Sequence, residues 1–135
     1  MEEQGRYGVV NEGRGYTSKA EVQIARLLEK NNITYRYEQP VAVIDRGKTR
    51  LWYPDFYLPD YAVVIEYFGV NGDTSYDNRT KHKIEVYKKS GIEGLFLTEA
   101  SLRGDWSERI LGQIEEILRN RLDEFYNRRC RGRRG

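Results

Sequence analysis

Apolar residues recur at two different periods along this chain of 135 residues, and the switches between them mark out its elements. Ile24, Leu27 and Leu28 fall at helical spacing, so a helix is expected over Lys19 to Lys30, with Thr17 or Ser18 as N-cap and Asn31-Asn32 as its stop. The period then shortens to two. Ile33, Tyr35 and Tyr37 alternate with polar residues in a strand running to Ile44, with a bend at Gln39-Pro40. Asp45 to Lys48 makes a turn, Thr49 to Leu58 returns antiparallel, and Ala62 to Phe68 forms a third strand beyond the turn residues Pro59 and Asp60. A glycine-containing loop, GVNGDTS, leads into a helix capped by Asp73, Thr74 or Ser75 and ended near Ser90 by Gly91. The run GLFLT, Gly94 to Thr98, is apolar throughout. It reads as a buried fourth strand, parallel to a neighbour because a helical crossover precedes it. From Asp105 or Ser107 onward, Ile110, Leu111, Ile114, Ile117, Leu118, Leu122 and Phe125 repeat at three and four residues, the stripe of a last amphipathic helix.

This order predicts an α/β (α+β) domain over residues 17–127, αβββαβα, with a central mixed four-stranded sheet flanked by helices. Four polar residues interrupt the apolar pattern. Asp55 and Glu66 each sit inside a strand, Glu21 edges the stripe of the first helix, and Lys83 falls within the arc of Tyr76, Ile84 and Tyr87. Two of them have plain alternatives: Ser18-x-x-Glu21 has capping-box spacing, and a lysine can snorkel to water along its stem. Alternation puts Val64, Glu66 and Phe68 on one strand face, and Asp55 with Tyr53 and Tyr57. Paired across the Pro59-Asp60 turn, the two carboxylates can share a divalent cation. Two carboxylates without a cysteine or histidine set favour Mg²⁺ or Mn²⁺. Asp60 belongs to the turn, and His82, with no second histidine, reads as a surface residue.

Composition narrows the class. With 39% hydrophobic and 33% charged residues the chain is globular rather than disordered. No apolar run approaches the roughly 20 residues of a membrane span, and MEEQGRYG lacks a signal-peptide core, so an intracellular, cytoplasmic protein is expected. The single Cys130 excludes an internal disulfide and a cysteine-rich zinc site. Net charge is only +2, but it is unevenly spread. Residues 1–16 form a Gly-rich arm in which Arg6 and Arg14 alternate with Tyr7 and Tyr16, suited to gripping phosphates and stacking on bases. Residues 128–135 form an Arg-rich tail whose natural partner is a polyanion. Arg6, Arg14, Lys81, Lys88, Arg128, Arg129 and Arg131 are the candidate nucleic-acid contacts.

From about Thr17 to Thr98 the chain resembles the PD-(D/E)XK nuclease superfamily, which includes restriction endonucleases and Holliday-junction resolvases. Pro54-Asp55 matches its PD, Glu66 its second acid, and Glu21 the glutamate often found on its first helix. The resemblance implies a restriction-endonuclease-like core and a Mg²⁺-dependent DNA endonuclease with Glu21, Asp55, Glu66 and Lys83 as catalytic residues. Asp55 and Glu66 would hold the metal, joined by Glu21 and the Tyr67 backbone carbonyl, with no small-molecule cofactor. One position departs from the motif: Phe68 stands where a lysine is expected two residues after the acid. The segments PDF and IEYFG are similar to those of nuclease-like domains attached to DNA helicases. In these the lysine has migrated to a Tyr…Lys…Tyr helix, here Tyr76, Lys83 and Tyr87, with Lys81 as the fallback. A nucleic-acid-binding module that has lost catalysis is the second reading. An RNA-directed hydrolase is a third, for which no reader of the 2′-hydroxyl is identifiable. A homodimer would let two sites address both strands of a duplex, and the last helix has apolar surface for it.

Overall fold

The computed structural model describes residues 18–68 and 74–134, and the side chains of residues 78–129 within the second stretch. The arm with Arg6 and Arg14, and the side chains of Tyr76 and Arg131, lie outside the described residues. The chain divides between Arg103 and Gly104 into two compact units.

The first unit begins with helix α1, Lys19–Lys30. Ser18 is its N-cap: its extended backbone leaves the hydroxyl free to accept the Glu21 N–H at 3.2 Å. The expected stripe, Ile24, Leu27 and Leu28, is buried together with Ala25 and Glu21. Asn31 closes the helix by returning its side-chain amide to the Leu27 carbonyl at 2.8 Å. Asn32 then turns the chain with φ 56°.

Six strands follow: β1 Arg36–Tyr37, β2 Val41–Asp45, β3 Lys48–Trp52, β4 Phe56–Leu58, β5 Val63–Tyr67 and, after helix α2 (Thr74–Lys89), β6 Glu93–Leu97. The mixed four-stranded sheet has the order β1-β4-β5-β6. Its first three strands are antiparallel, whereas β6 runs parallel to β5 through the α2 crossover.

The continuous strands expected over 33–44 and 49–58 are each broken in two. Pro40 cannot donate to a ladder, and Glu38, two residues earlier, takes φ 54°, so β2 leaves the sheet that β1 began. Pro54 separates β3 from β4 in the same way. Strands β2 and β3 therefore pair only with each other, as an antiparallel ribbon turned at Arg46 and Gly47, whose φ values of 53° and 80° match a two-residue hairpin turn.

Both faces of the main sheet are covered. Phe56, Leu58, Val63 and Ile65 are fully buried on one face, where the rings of Tyr35 and Tyr37 meet Phe56 with centroids 5.5 and 5.6 Å away. On the other, Val64 packs in a cluster with Val41 and Val43 of the ribbon, Val86 and Tyr87 of α2, and Ile92. Burying each aliphatic or aromatic side chain contributes roughly 1.5–3 kcal/mol. The broken strands thus put the ribbon to use as a cover for the sheet.

The second unit is helix α3, Trp106–Arg134. The Arg-rich end continues this helix to Arg134 rather than leaving it as an extension. Ile110 and Ile114 of the expected stripe are buried, while Leu122, Phe125 and Tyr126 are exposed. No helix among the described residues is long and apolar enough to cross a membrane.

Candidate active site

Asp55 and Glu66 come together because of the β4–β5 register. Phe56 pairs with Ile65 and Tyr57 with Val64, so the ladder carried one residue further sets Asp55 opposite Glu66, on the face that holds Tyr57 and Val64. Asp55 Oδ2 accepts the Tyr67 backbone N–H at 2.8 Å, which fixes the carboxylate at the end of β5. Burial pushes the Asp55 carboxyl up to about 6; the Tyr67 N–H bond pulls it down, and the negative charges of Glu21, Glu66 and Glu38 raise it further. An acid so crowded gains from a nearby cation.

Glu66 is buried and held at both oxygens. Lys83 Nζ lies 2.9 Å from Oε1, and the Tyr87 hydroxyl donates to Oε2 at 2.7 Å. Both partners stand on α2, four residues apart on one side of the helix. Burial and the Glu66 charge push the Tyr87 phenol well above its ordinary range, so it serves as a neutral donor. Lys81 is exposed. Of the two candidate lysines, Lys83 is the one at the carboxylates.

Phe68, in the position where the motif has its lysine, meets that same ammonium from the side. Lys83 Nζ stands 5.4 Å from the Phe68 ring centroid, within cation–π range. The ring is stacked on Phe96 at 5.6 Å with an interplanar angle of 1°. Gly94 makes that stack possible: a Cβ there would come within 2.6 Å of the Phe96 ring.

Glu21 reaches this end of the sheet from α1. Its Oε1 accepts the Tyr37 hydroxyl at 2.6 Å, and its charge is felt at Asp55. Sequence patterning does not single out Tyr37. The available signal was a tyrosine on the inner face of a strand, where a buried hydroxyl needs a partner. His82, expected as a plain surface residue, is tied instead to Asp45: Nε2 is 3.3 Å from Oδ1, and Arg50 Nε is 3.8 Å from Oδ2. The Asp45 oxygen facing His82 is buried and makes no hydrogen bond.

Among the described residues no three acids or histidines form a ready-made metal cluster. Asp55 and Glu66 remain a facing pair, and a pair suits Mg²⁺, which keeps several waters and commonly takes one or two protein carboxylates with substrate phosphate. Of the candidate nucleic-acid contacts, Lys81, Lys88, Arg128 and Arg129 are exposed. The Arg129 guanidinium lies 5.6 Å from the Phe125 ring centroid within α3.

No family model matches this chain, and no curated protein matches it. Among solved structures it is similar to the "Homing Endonuclease I-Bth0305I Catalytic Domain", with 21% identity and a TM-score of 0.49 over 75% of this chain and 91% of that one. What bears on function is the site itself.

Proposed function

We propose that the chain is a divalent-metal-dependent DNA endonuclease of PD-(D/E)XK type, hydrolysing phosphodiester bonds at Asp55, Glu66 and Lys83. The observation that carries this reading is a lysine ammonium 2.9 Å from a buried glutamate, beside an aspartate whose carboxyl is raised to about 6 by burial and three surrounding acids. Strand glutamates in an ordinary core have no need of such neighbours.

Asp55 and Glu66 would hold Mg²⁺ or Mn²⁺, with the Tyr67 carbonyl at the same strand end and Glu21 reaching the metal directly or through water. When bound, such an ion polarises a phosphoryl oxygen and lowers the pKa of its water. Lys83 Nζ lies 2.9 Å from Glu66 Oε1, at the carboxylates. Its part is to offset the negative charge that gathers on the phosphoryl oxygens as water adds and the P–O3′ bond breaks. The products by family resemblance are a 5′-phosphate and a 3′-hydroxyl. Tyr87 holds Glu66 in place, and Phe68 confines the ammonium without competing for it.

A binding module without catalysis is the second reading, favoured by Phe68 in the motif's lysine position. The two readings part on one assay: metal-dependent cutting lost in Asp55→Ala supports the enzyme, and tight DNA binding with no cutting under Mg²⁺ or Mn²⁺ supports the module. Two copies joined through the exposed Leu122, Phe125 and Tyr126 would present two sites to a duplex.

A further inference from the structure

The β2–β3 ribbon carries a cationic tip that the chemistry at Asp55 and Glu66 does not use. Arg46, Lys48 and Arg50 are exposed there. The only acid in residues 41–53, Asp45, is buried and lies against His82 and Arg50. The tip thus presents positive charge alone to its surroundings.

Two observations set this apart from an ordinary solvated turn. The first is backbone cost. Arg46 occupies the left-handed region at φ 53°, beside Gly47, at a hairpin position where asparagine, aspartate or glycine sits far more easily. A long cation held in that conformation points to a use for its charge. The second is placement. Asp45 reaches His82, and the Ile44 N–H donates to Ser90 Oγ at 3.0 Å, so the ribbon is pinned to α2 at two points. His82 directly precedes Lys83, whose ammonium sits on Glu66. The ribbon that carries these cations is thus fastened to the same helix that brings Lys83 to Glu66.

We infer that the ribbon tip is a nucleic-acid backbone clamp: Arg46 and Lys48 bind phosphates of duplex DNA to one side of the bond to be cut. This rests on the nuclease reading for its substrate. A two-stranded ribbon is of a size to follow a duplex groove, and charge-assisted contacts from arginine and lysine set position without reading sequence. Arg50 is drawn toward Asp45 and contributes to anchoring the tip.

The test is binding of a fluorescent duplex in EDTA, by anisotropy across a range of salt. Wild type is compared with Arg46→Asn/Lys48→Gln and with Arg26→Gln/Lys30→Gln, which removes two exposed cations from α1 instead. Without the two phosphate-binding cations of the tip, the slope of log affinity against log salt should fall by about 1.8, and affinity at moderate salt by tenfold or more. The melting temperature of the tip variant should be equal or higher, since asparagine suits the left-handed turn, so weaker binding cannot be put down to unfolding. An unchanged slope, or an equal loss in the α1 control, overturns the clamp. So does a wild type that binds no duplex at any salt. Wild type that binds but never cuts sinks the nuclease reading alone, because the slopes still decide this one.

Discussion

Asp55 links protonation to folding and, in the proposed function, to metal binding. Its carboxyl lies at about 6 in the fold against 3.8 for the free acid. Between those values the native state binds the extra proton, so without metal the stability due to this group is greatest below about pH 4 and falls as pH rises through 6. In EDTA at pH 7.5, Asp55→Asn should therefore be more stable than wild type, with the gap closing below pH 4. Denaturant melts at the two pH values measure this, and a wild type that gains stability between pH 4 and 6 relative to the variant would contradict it. Excess Mg²⁺ should raise the wild-type melting temperature above pH 6 and leave Asp55→Asn unmoved.

Lys83 and Tyr87 divide the handling of Glu66. Lys83→Ala should cut turnover by about 100-fold or more while changing the Mg²⁺ concentration for half-maximal rate little; Lys81→Ala, exposed, should stay near wild type. Steady-state rates across a Mg²⁺ titration separate the two, and the reverse ranking would assign the wrong lysine. Tyr87→Phe keeps the ring packed edge-on to Trp52 at 5.2 Å but leaves a buried carboxylate oxygen without its donor, at about 1–3 kcal/mol. Urea melts should show that loss. A variant as stable as wild type would mean that water replaces the hydroxyl.

At the scale of elements, the aromatic stack on β6 positions the site from behind. Gly94→Ala would drive a methyl group into the Phe96 ring, shifting Phe96, Phe68 and the ammonium of Lys83 that lies against it. A cost of about 1–3 kcal/mol is expected, together with slower cutting. Full activity with full stability would show that the stack is dispensable. Elements are also where the sequence was most and least legible. Ser18, Asn31 and the α1 stripe are local signals read over a few residues, and α1 lies where they put it. Alternation likewise put Asp55 on the face of Tyr57 and Glu66 on that of Val64, and pairing across the Pro59-Asp60 turn is what sets those faces together. What could not be read was the departure of β2 and β3 into their own ribbon. Pro40 announced a bend and Pro54 was passed over inside the expected strand 49–58, and which strands pair afterwards depends on long-range packing of Val41, Val43 and Trp52 with Tyr87 and Val86. The helical wheel singled out Lys83 as a cation in a buried stripe. It could not show that Phe68 would shelter that cation, or that Tyr37 and Tyr87 would each bring a hydroxyl to a glutamate, since all three meetings cross between elements.

For the whole molecule, the net charge of +2 says little, because the cations that matter are local. Within the first unit the ribbon tip supplies an exposed cationic edge, whereas the site itself is acidic. Such a division suits a substrate whose backbone must be attracted overall yet admitted to a carboxylate pair only with a cation between them. The measurement that tests this account most directly is cleavage of labelled single-stranded, duplex and branched DNA by wild type and Asp55→Ala, each with Mg²⁺, Mn²⁺ or EDTA. The account predicts cutting by wild type with either metal, none in EDTA, and none by the variant under any condition while its melt shows it folded. Cutting retained by the folded Asp55→Ala chain, or wild type that cuts nothing with either metal, would contradict it.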